Sequence, residues 1–406
     1  MRPDHRAGVT LSPPRACSTA LRRFAGPEAD ELAILCRPAD PAPDVVRQAE
    51  AAYRALAEQL AAAQATFADV ASETLFLRDI QRDLLPVLVA RARVLAEIGQ
   101  IESAAMPAFI EQPPLSGGTA LELTAAVVLP RRRAAWSVRD VAAEPACPCA
   151  GCAQSGARLV RLGDQTSLHT TNLYGTGADA FEQATNMFAA AERLLDRCGL
   201  GFRDVVRTWI HLRDIDRDYD ALNNARRDFF QRHGIEPRPA STGVQGGPFP
   251  PQHDVSLRLE ALRSPRPLDR TLMSTPMLNE AWSYGADFSR GLRVADVNKV
   301  ALYISGTASI DDAGRTVHVG DVAAQVARML DNIASLLARQ GATFANLVSG
   351  VVYLKRSGDA QVLRDLCRQR GFDGFPCALV EAPLCRPDLL CEAEAVAMLP
   401  LKPAAA

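Results

Sequence analysis

The chain has 406 residues, of which 48% are apolar and 23% charged, with a formal net charge of -2. That length allows two to four domains, the composition is that of an ordinary globular protein, and the near-neutral charge argues against nucleic acid or another polyanion as partner. No apolar run reaches the roughly 18 residues that cross a bilayer, and the N-terminal "MRPDHRAGVTLSPPRACSTALRR" lacks the apolar centre of a secretory signal, so a cytoplasmic protein whose ten cysteines stay reduced is expected.

In chain order, the first periodic stretch predicts an amphipathic helix over 45–64, with apolar residues three and four apart. Phe67 follows, then a strand, a second helix led in by Asp, and the closing segment "MPAFIEQPPLSGGTALELTAAVVL", a Pro-containing loop with a final strand. Arg131-Arg132-Arg133 reads as a solvated turn. The same plan then returns twice. Helices are predicted over 179–198 and 321–340. Phe202 and Phe344 stand 135 and 142 residues after their predecessors, and the closings are "RPASTGVQGGPFPPQHDVSLRLEAL" and "FPCALVEAPLCRPDLLCEAEAVAML". Trp209 and His211 lie on the strand of the second copy and read as packing residues.

The order strand-strand-helix-strand-helix-strand implies an α+β fold in which two helices cover one face of a small mixed sheet. Three such units are expected, at 20–130, 153–265 and 275–402, with a Cys-containing linker at 131–152. Within that linker, Cys147, Cys149 and Cys152 form a C-x-C-x2-C set with His169 downstream. Such a set suits a structural zinc, although it is a single cluster with no second knuckle. No Gly-rich phosphate loop after a strand, no H-E-x-x-H and no G-x-S-x-G is present, so phosphoryl transfer, zinc proteolysis and α/β-hydrolase chemistry have no motif here.

The last closing holds the sharpest signal. In a strand, Glu392 and Glu394 share a face with Val396 and Met398, while Cys391, Ala393, Ala395 and Ala397 face the other way. A buried carboxylate is costly unless it is paired or does chemistry. Glu392 is thus either tied to an amide or arginine, or a working acid.

The repeated unit resembles the RidA/YjgF family, whose chorismate-mutase-like domains assemble as trimers with active sites between neighbouring units. Three units in one chain imply a covalent pseudo-trimer, monomeric or further associated. The family's deaminases carry an Arg that grips the substrate carboxylate, followed by a Glu-x-Glu strand. Here the Arg position falls on Phe109, Ser241 and Ala378, within one residue, and the first Glu on Glu122, Arg258 and Glu392, which disfavours simple imine deamination.

The chorismatase branch of the superfamily is a closer likeness. The motifs that carry it are Tyr284-Gly285, "YISGTASI" at 303–310, His318-Val319-Gly320-Asp321 and "CRPDLLCEAE" at 385–394. The family lead-in places an Arg soon after Tyr-Gly, whereas here Ala286-Asp287 follow and Arg290 comes later. The resemblance implies cofactor-free cleavage of the enolpyruvyl group of chorismate, or a similar cyclic enol ether, to pyruvate and a hydroxybenzoate-type product. Glu392 would be the general acid, Cys385 an assisting thiol, and Gly306 the residue making room. Gly306 with Cys385 implies the 3-hydroxybenzoate-forming type. His318 is read as a turn or capping residue. An anionic substrate calls for converging cations, and the candidates are Arg290, Lys355 and Arg386, with Arg293, Arg356 and Arg364; Tyr284 and Gly306 are the other substrate-binding residues the resemblance implies. The alternatives are a Rid-type hydrolase of imines and a non-catalytic ligand- or partner-binding pseudo-trimer.

Overall fold

The computed structural model describes residues 17–39, 44–144, 155–285 and 287–401. The first unit runs β1 (Cys17–Ala25), β2 (Ala29–Pro38), α1 (Val45–Ala62), β3 (Val70–Leu77), α2 (Ile80–Glu97), β4 (Pro107–Glu111) and β5 (Leu121–Pro130). Its sheet has the order β1-β2-β5-β3-β4, antiparallel except for the parallel β3–β4 pair. The helices begin where Asp44 and Asp79 accept hydrogen bonds from Val46 N and Arg82 N, satisfying amides that a helix start leaves unpaired. Tyr53, Leu56 and Leu60 of α1 and Leu84, Val87 and Val94 of α2 bury one face of the sheet.

The second unit repeats the plan with β6 (Trp136–Ala142), β7 (Gly156–Leu162), β8 (Gln165–Thr170), α3 (Ala180–Arg197), β9 (Val205–Leu212), α4 (Ile215–His233), β10 (Ala240–Gln245) and β11 (Val255–Arg263). The third comprises β12 (Asp269–Leu272), β13 (Gly291–Ala295), β14 (Val300–Ala308), α5 (Val322–Ala338), β15 (Leu347–Leu354), α6 (Ala360–Arg370), β16 (Cys377–Glu381) and β17 (Cys391–Leu399). The helices expected over 45–64, 179–198 and 321–340 are α1, α3 and α5, each matching within two residues. Each unit closes with two strands rather than one. The short runs β4, β10 and β16, inside segments that read as Pro-containing loops, pair parallel to the preceding strand. Residues 136–142, within the stretch read as a linker, form β6 at the edge of the second sheet, and β12 extends the third.

The units dock in a ring. β3 meets β7, β10 meets β14, and β15 meets β1, so every unit offers the side of its sheet formed by β3 and β4, or their equivalents, to the next unit's hairpin. Helices lie outside, and the opposite sheet faces turn toward a shared interior lined by all three units. One lock on this ring is Asn298 of the third unit. Its Oδ1 accepts from Glu28 N and Ala29 N, and its Nδ2 donates to Ala29 O and to Glu31 Oε1. Gly26 is required beside it, because a Cβ there would overlap the Asn298 amide. Lys299, next in sequence, donates to Glu31 at 2.6 Å. Removing the amide in Asn298→Ala leaves buried backbone groups unpaired, and about 1–3 kcal/mol of stability should be lost in chemical denaturation. Among the described residues no helix is long and apolar enough to cross a membrane.

Candidate active site

In β17, Glu392 and Glu394 are each only 5% exposed. They share a face but meet different surroundings. Glu394 accepts from Arg207 Nη2 at 2.7 Å and from Trp209 Nε1 at 2.6 Å, both from the second unit. It is an inter-unit tie. Glu392, two residues earlier, lines a cleft of about 520 Å³ between the second and third units. That size lies within the range typical of small-molecule sites.

Burial chiefly, and the nearby Glu394 charge, raise the Glu392 carboxyl to about 8, with Arg290, Arg207 and Arg386 pulling the other way. The group is therefore mostly protonated at neutral pH and can donate a proton. Space for it comes from Gly306 on β14, where a Cβ would overlap Glu392 Oε1 and stand 3.2 Å from Thr242 Cγ2. The register irregularity between Ile304 and Thr307 brings this stretch of β14 against the start of β17. Thr242 closes the back of the arrangement, its Oγ1 accepting from Gly306 N at 3.0 Å.

The cleft wall from the third unit carries Arg290, Cys385 and Arg386, and that from α4 of the second unit carries Tyr219, Asn223 and Arg226. Arg290 is 3% exposed and is held by Asn279, donating to its carbonyl at 2.8 Å and its Oδ1 at 3.2 Å. Arg226, also 3% exposed, donates to Asn223 Oδ1 at 2.6 Å. Both guanidiniums lie against the Phe288 ring, at 5.5 Å for Arg226 and 5.8 Å for Arg290. Arg386 Nη1 donates to Gly314 O at 2.6 Å. Four arginines from two units, Arg226, Arg227, Arg290 and Arg386, thus line one cleft with the Glu392 carboxyl. The lead-in loop of the third unit is fixed by the second, with Asp287 paired to Arg227 and Arg238 at 3.2 and 3.0 Å.

Cys385 is in the cleft, but it is not an activated thiolate. Burial and the neighbouring Glu392 charge push its thiol up to about 12, outweighing Arg386 and a hydrogen bond from Tyr219. The lowering expected from Arg386 alone is overridden by desolvation, so any part played by the sulfur is that of a thiol, S–H included. Lys355 does not line the cleft, and its ammonium donates to Pro387 O. Arg293, paired with Asp269, and Arg356 and Arg364 are likewise absent from the wall. Tyr284 ends a short 3-10 turn (Ala281–Tyr284) next to Gly285, which reaches the cleft; its side chain is outside what is described. His318 takes a left-handed turn with φ 61° before α5, whose start is capped by Asp321. Cys147, Cys149 and Cys152 lie outside the described residues.

The equivalent positions in the other two units carry different groups. Strand register places Glu122 opposite Phe76, as Glu392 stands opposite Tyr353. Glu122 is fully buried and bound by Arg37 Nε at 2.5 Å, so it is a paired carboxylate. In the second unit the matching residue opposite His211 is Ser256, not Arg258; Arg258 faces Trp209 and corresponds to Glu394. A two-residue slip keeps the same strand face, so alternation alone does not reveal it. Asn172 seals that region by exchanging hydrogen bonds with both backbone groups of Phe109. The position of the deaminase arginine, taken by register, is Ala108, Thr242 or Ala378, none of which bears a cation.

Comparison with known proteins places this geometry in context. The family model described as endoribonuclease L-PSP matches residues 155–262 and 283–399, the second and third units. A chorismatase of Streptomyces rapamycinicus is 29% identical over 226 residues, covering 48% of this chain and 65% of that protein. A 3-hydroxybenzoate synthase of Streptomyces hygroscopicus is 28% identical over 226 residues, 49% of this chain and 64% of its own length. The chain therefore spans just under two thirds of these curated relatives. A crystal structure of a chorismatase superposes with a TM-score of 0.51 at 22% identity, covering 68% of this chain and 82% of that one, a likeness of fold.

Proposed function

We propose, because the chain belongs to the endoribonuclease L-PSP (RidA/YjgF) family, that the cleft between its second and third units works as a chorismatase-type active site. The substrate would be chorismate or a closely similar cyclic enol ether carrying carboxylates, and the products pyruvate and a hydroxybenzoate-type acid. One observation carries this reading. A carboxyl that keeps its proton up to about pH 8 sits with four arginines in one small cleft.

The chemistry follows from those groups. Arg226, Arg290 and Arg386 would hold the substrate carboxylates through charge-assisted hydrogen bonds. The Glu392 proton goes to the terminal methylene carbon of the enol ether, which becomes a methyl group. Positive charge then develops on the neighbouring ether carbon as an oxocarbenium, with the new Glu392 carboxylate beside it. Attack there by water gives a hemiketal that collapses to pyruvate and the ring alcohol, and the proton released by water restores Glu392. Attack by a neighbouring ring hydroxyl starts the route to a hydroxybenzoate, in which no net water is consumed. The Cys385 thiol, a neighbour of Glu392, would assist on that second route.

The test is to incubate the protein with chorismate and measure pyruvate and hydroxybenzoate; folded protein that turns over none refutes the substrate. Because the acid must be protonated, kcat/KM should be level below about pH 8 and fall roughly tenfold per unit above it. A profile still level at pH 10 would contradict Glu392 as donor. Arg226→Met should raise KM by roughly 10- to 30-fold, the worth of one charged hydrogen bond at about 1.5–2 kcal/mol. Steady-state kinetics on chorismate reads this directly.

A further inference from the structure

We propose that the cavity on the axis of the ring is a second binding site, and that it takes a small monocarboxylate with an apolar body. The cavity measures about 220 Å³ and is walled by all three sheets, separate from the cleft that holds Glu392. At one end, Trp209 lies between two guanidiniums, Arg207 at 4.8 Å and Arg258 at 4.9 Å from its ring. Arg207 is 1% exposed; its Nη2 is engaged by Glu394 and by Thr242 Oγ1. Among the described residues, Arg207 Nη1, Arg258 Nε and His211 Nδ1 have no hydrogen-bond partner, and Arg258 forms no ion pair. All three residues line the cavity.

Leaving such buried groups unpaired is costly. Arg207 and Arg258 meet Glu394 here, and Glu260 stands across the strand pair from Arg207, so the charges balance while the three nitrogens stay without a partner. The other polar groups of the wall already have partners: Tyr303 donates to Glu260 at 3.0 Å, and Lys299 binds Glu31 and Asp296. A hydrogen-bond acceptor placed at these nitrogens therefore completes the set. A carboxylate fits because it offers two acceptor oxygens to separate guanidiniums. Apolar contacts come from Val160, Leu162, Leu262, Val351, Val396 and Met398, which share the wall with polar residues such as Gln165, Ser167 and His169. Apolar cavities of about 150 Å³ accept benzene, so a body of one ring fits this volume.

Benzoate is the probe. Calorimetric titration of the full chain should show saturable one-to-one binding, with a change in tryptophan fluorescence from Trp209. Benzyl alcohol, which lacks the charge, should bind at least tenfold more weakly, as should acetate, which lacks the ring. Arg258→Met should weaken benzoate binding at least tenfold while the protein stays folded, since a guanidinium without an ion pair is removed. Glu392→Gln should leave benzoate binding intact, which separates this site from the cleft and makes the result independent of chorismate turnover. No saturable binding by the unaltered protein would overturn the proposal. So would equal binding by Arg258→Met, or loss of binding in Arg226→Met instead, which would put the acid in the cleft. If Arg258→Met fails to fold, a benzoate-soaked crystal decides: density between Arg207 and Arg258 supports the site, and density only in the cleft refutes it.

Discussion

Glu392→Gln should lower turnover of chorismate by about 10²- to 10⁴-fold, the usual worth of a positioned general acid. The substitution keeps the shape and a hydrogen-bond donor but removes the transferable proton. It should not destabilise the fold, because the carboxyl is already largely neutral at pH 7 and an amide replaces one uncharged group with another. Most of the loss should fall on kcat rather than KM, since proton transfer to carbon belongs to the transition state. A Gln variant with full activity would remove Glu392 from the chemistry, whatever the fate of the substrate assignment.

Gly306→Ala is expected to have the next largest effect, through position rather than charge. The added methyl would overlap Glu392 Oε1, and Thr242 Cγ2 at 3.2 Å blocks retreat of the methyl to the other side. The carboxyl end of a glutamate can swing away, so the protein should fold with little change in melting temperature. The acid, however, would be displaced by a distance on the order of 1 Å, and a misplacement of that size is worth about 10²-fold in rate. Because the displaced acid also opens the cleft differently to water and to the ring hydroxyl, the share of hydroxybenzoate among the products should fall. Product analysis by chromatography would show it, and an Ala variant with unchanged rate and product ratio would mean that Gly306 serves only packing.

Much of this architecture is readable in the residues, and what is not has a physical reason. The three-fold repeat shows because helix periodicity and the recurring Phe survive divergence of everything between them. Glu392, Cys385, Gly306, Arg290 and Arg386 come from one unit, within one ordered run of motifs, so a linear reading collects them. Arg226 and Tyr219 escape it because they reach the cleft from α4 of a different unit. Their trace in the sequence is faint: Asn223 and Arg226 sit three apart among the buried positions Leu222, Ala225 and Phe229 of that helix. Polar residues at core spacing on an otherwise amphipathic helix were the available signal. Lys355 is a cation just past β15, but its ammonium is committed to Pro387 O. Strand alternation aligns Arg258 with Glu392 as readily as with Glu394, because a shift of two residues preserves it; the pairing of Ser256 with His211 fixes the register. Trp209, read as packing, instead donates to Glu394 and carries two arginines on its faces. That arrangement depends on a contact with the third unit, which no local pattern encodes.

The central claim is proton delivery from Glu392 to carbon, and its most direct test is turnover of chorismate in D₂O with immediate enzymatic reduction of the pyruvate to lactate. The account predicts lactate carrying one solvent deuterium in its methyl group, formed by the unaltered protein and lost in Glu392→Gln. Pyruvate released with an unlabelled methyl group, or labelled equally fast by the Gln variant, would contradict it.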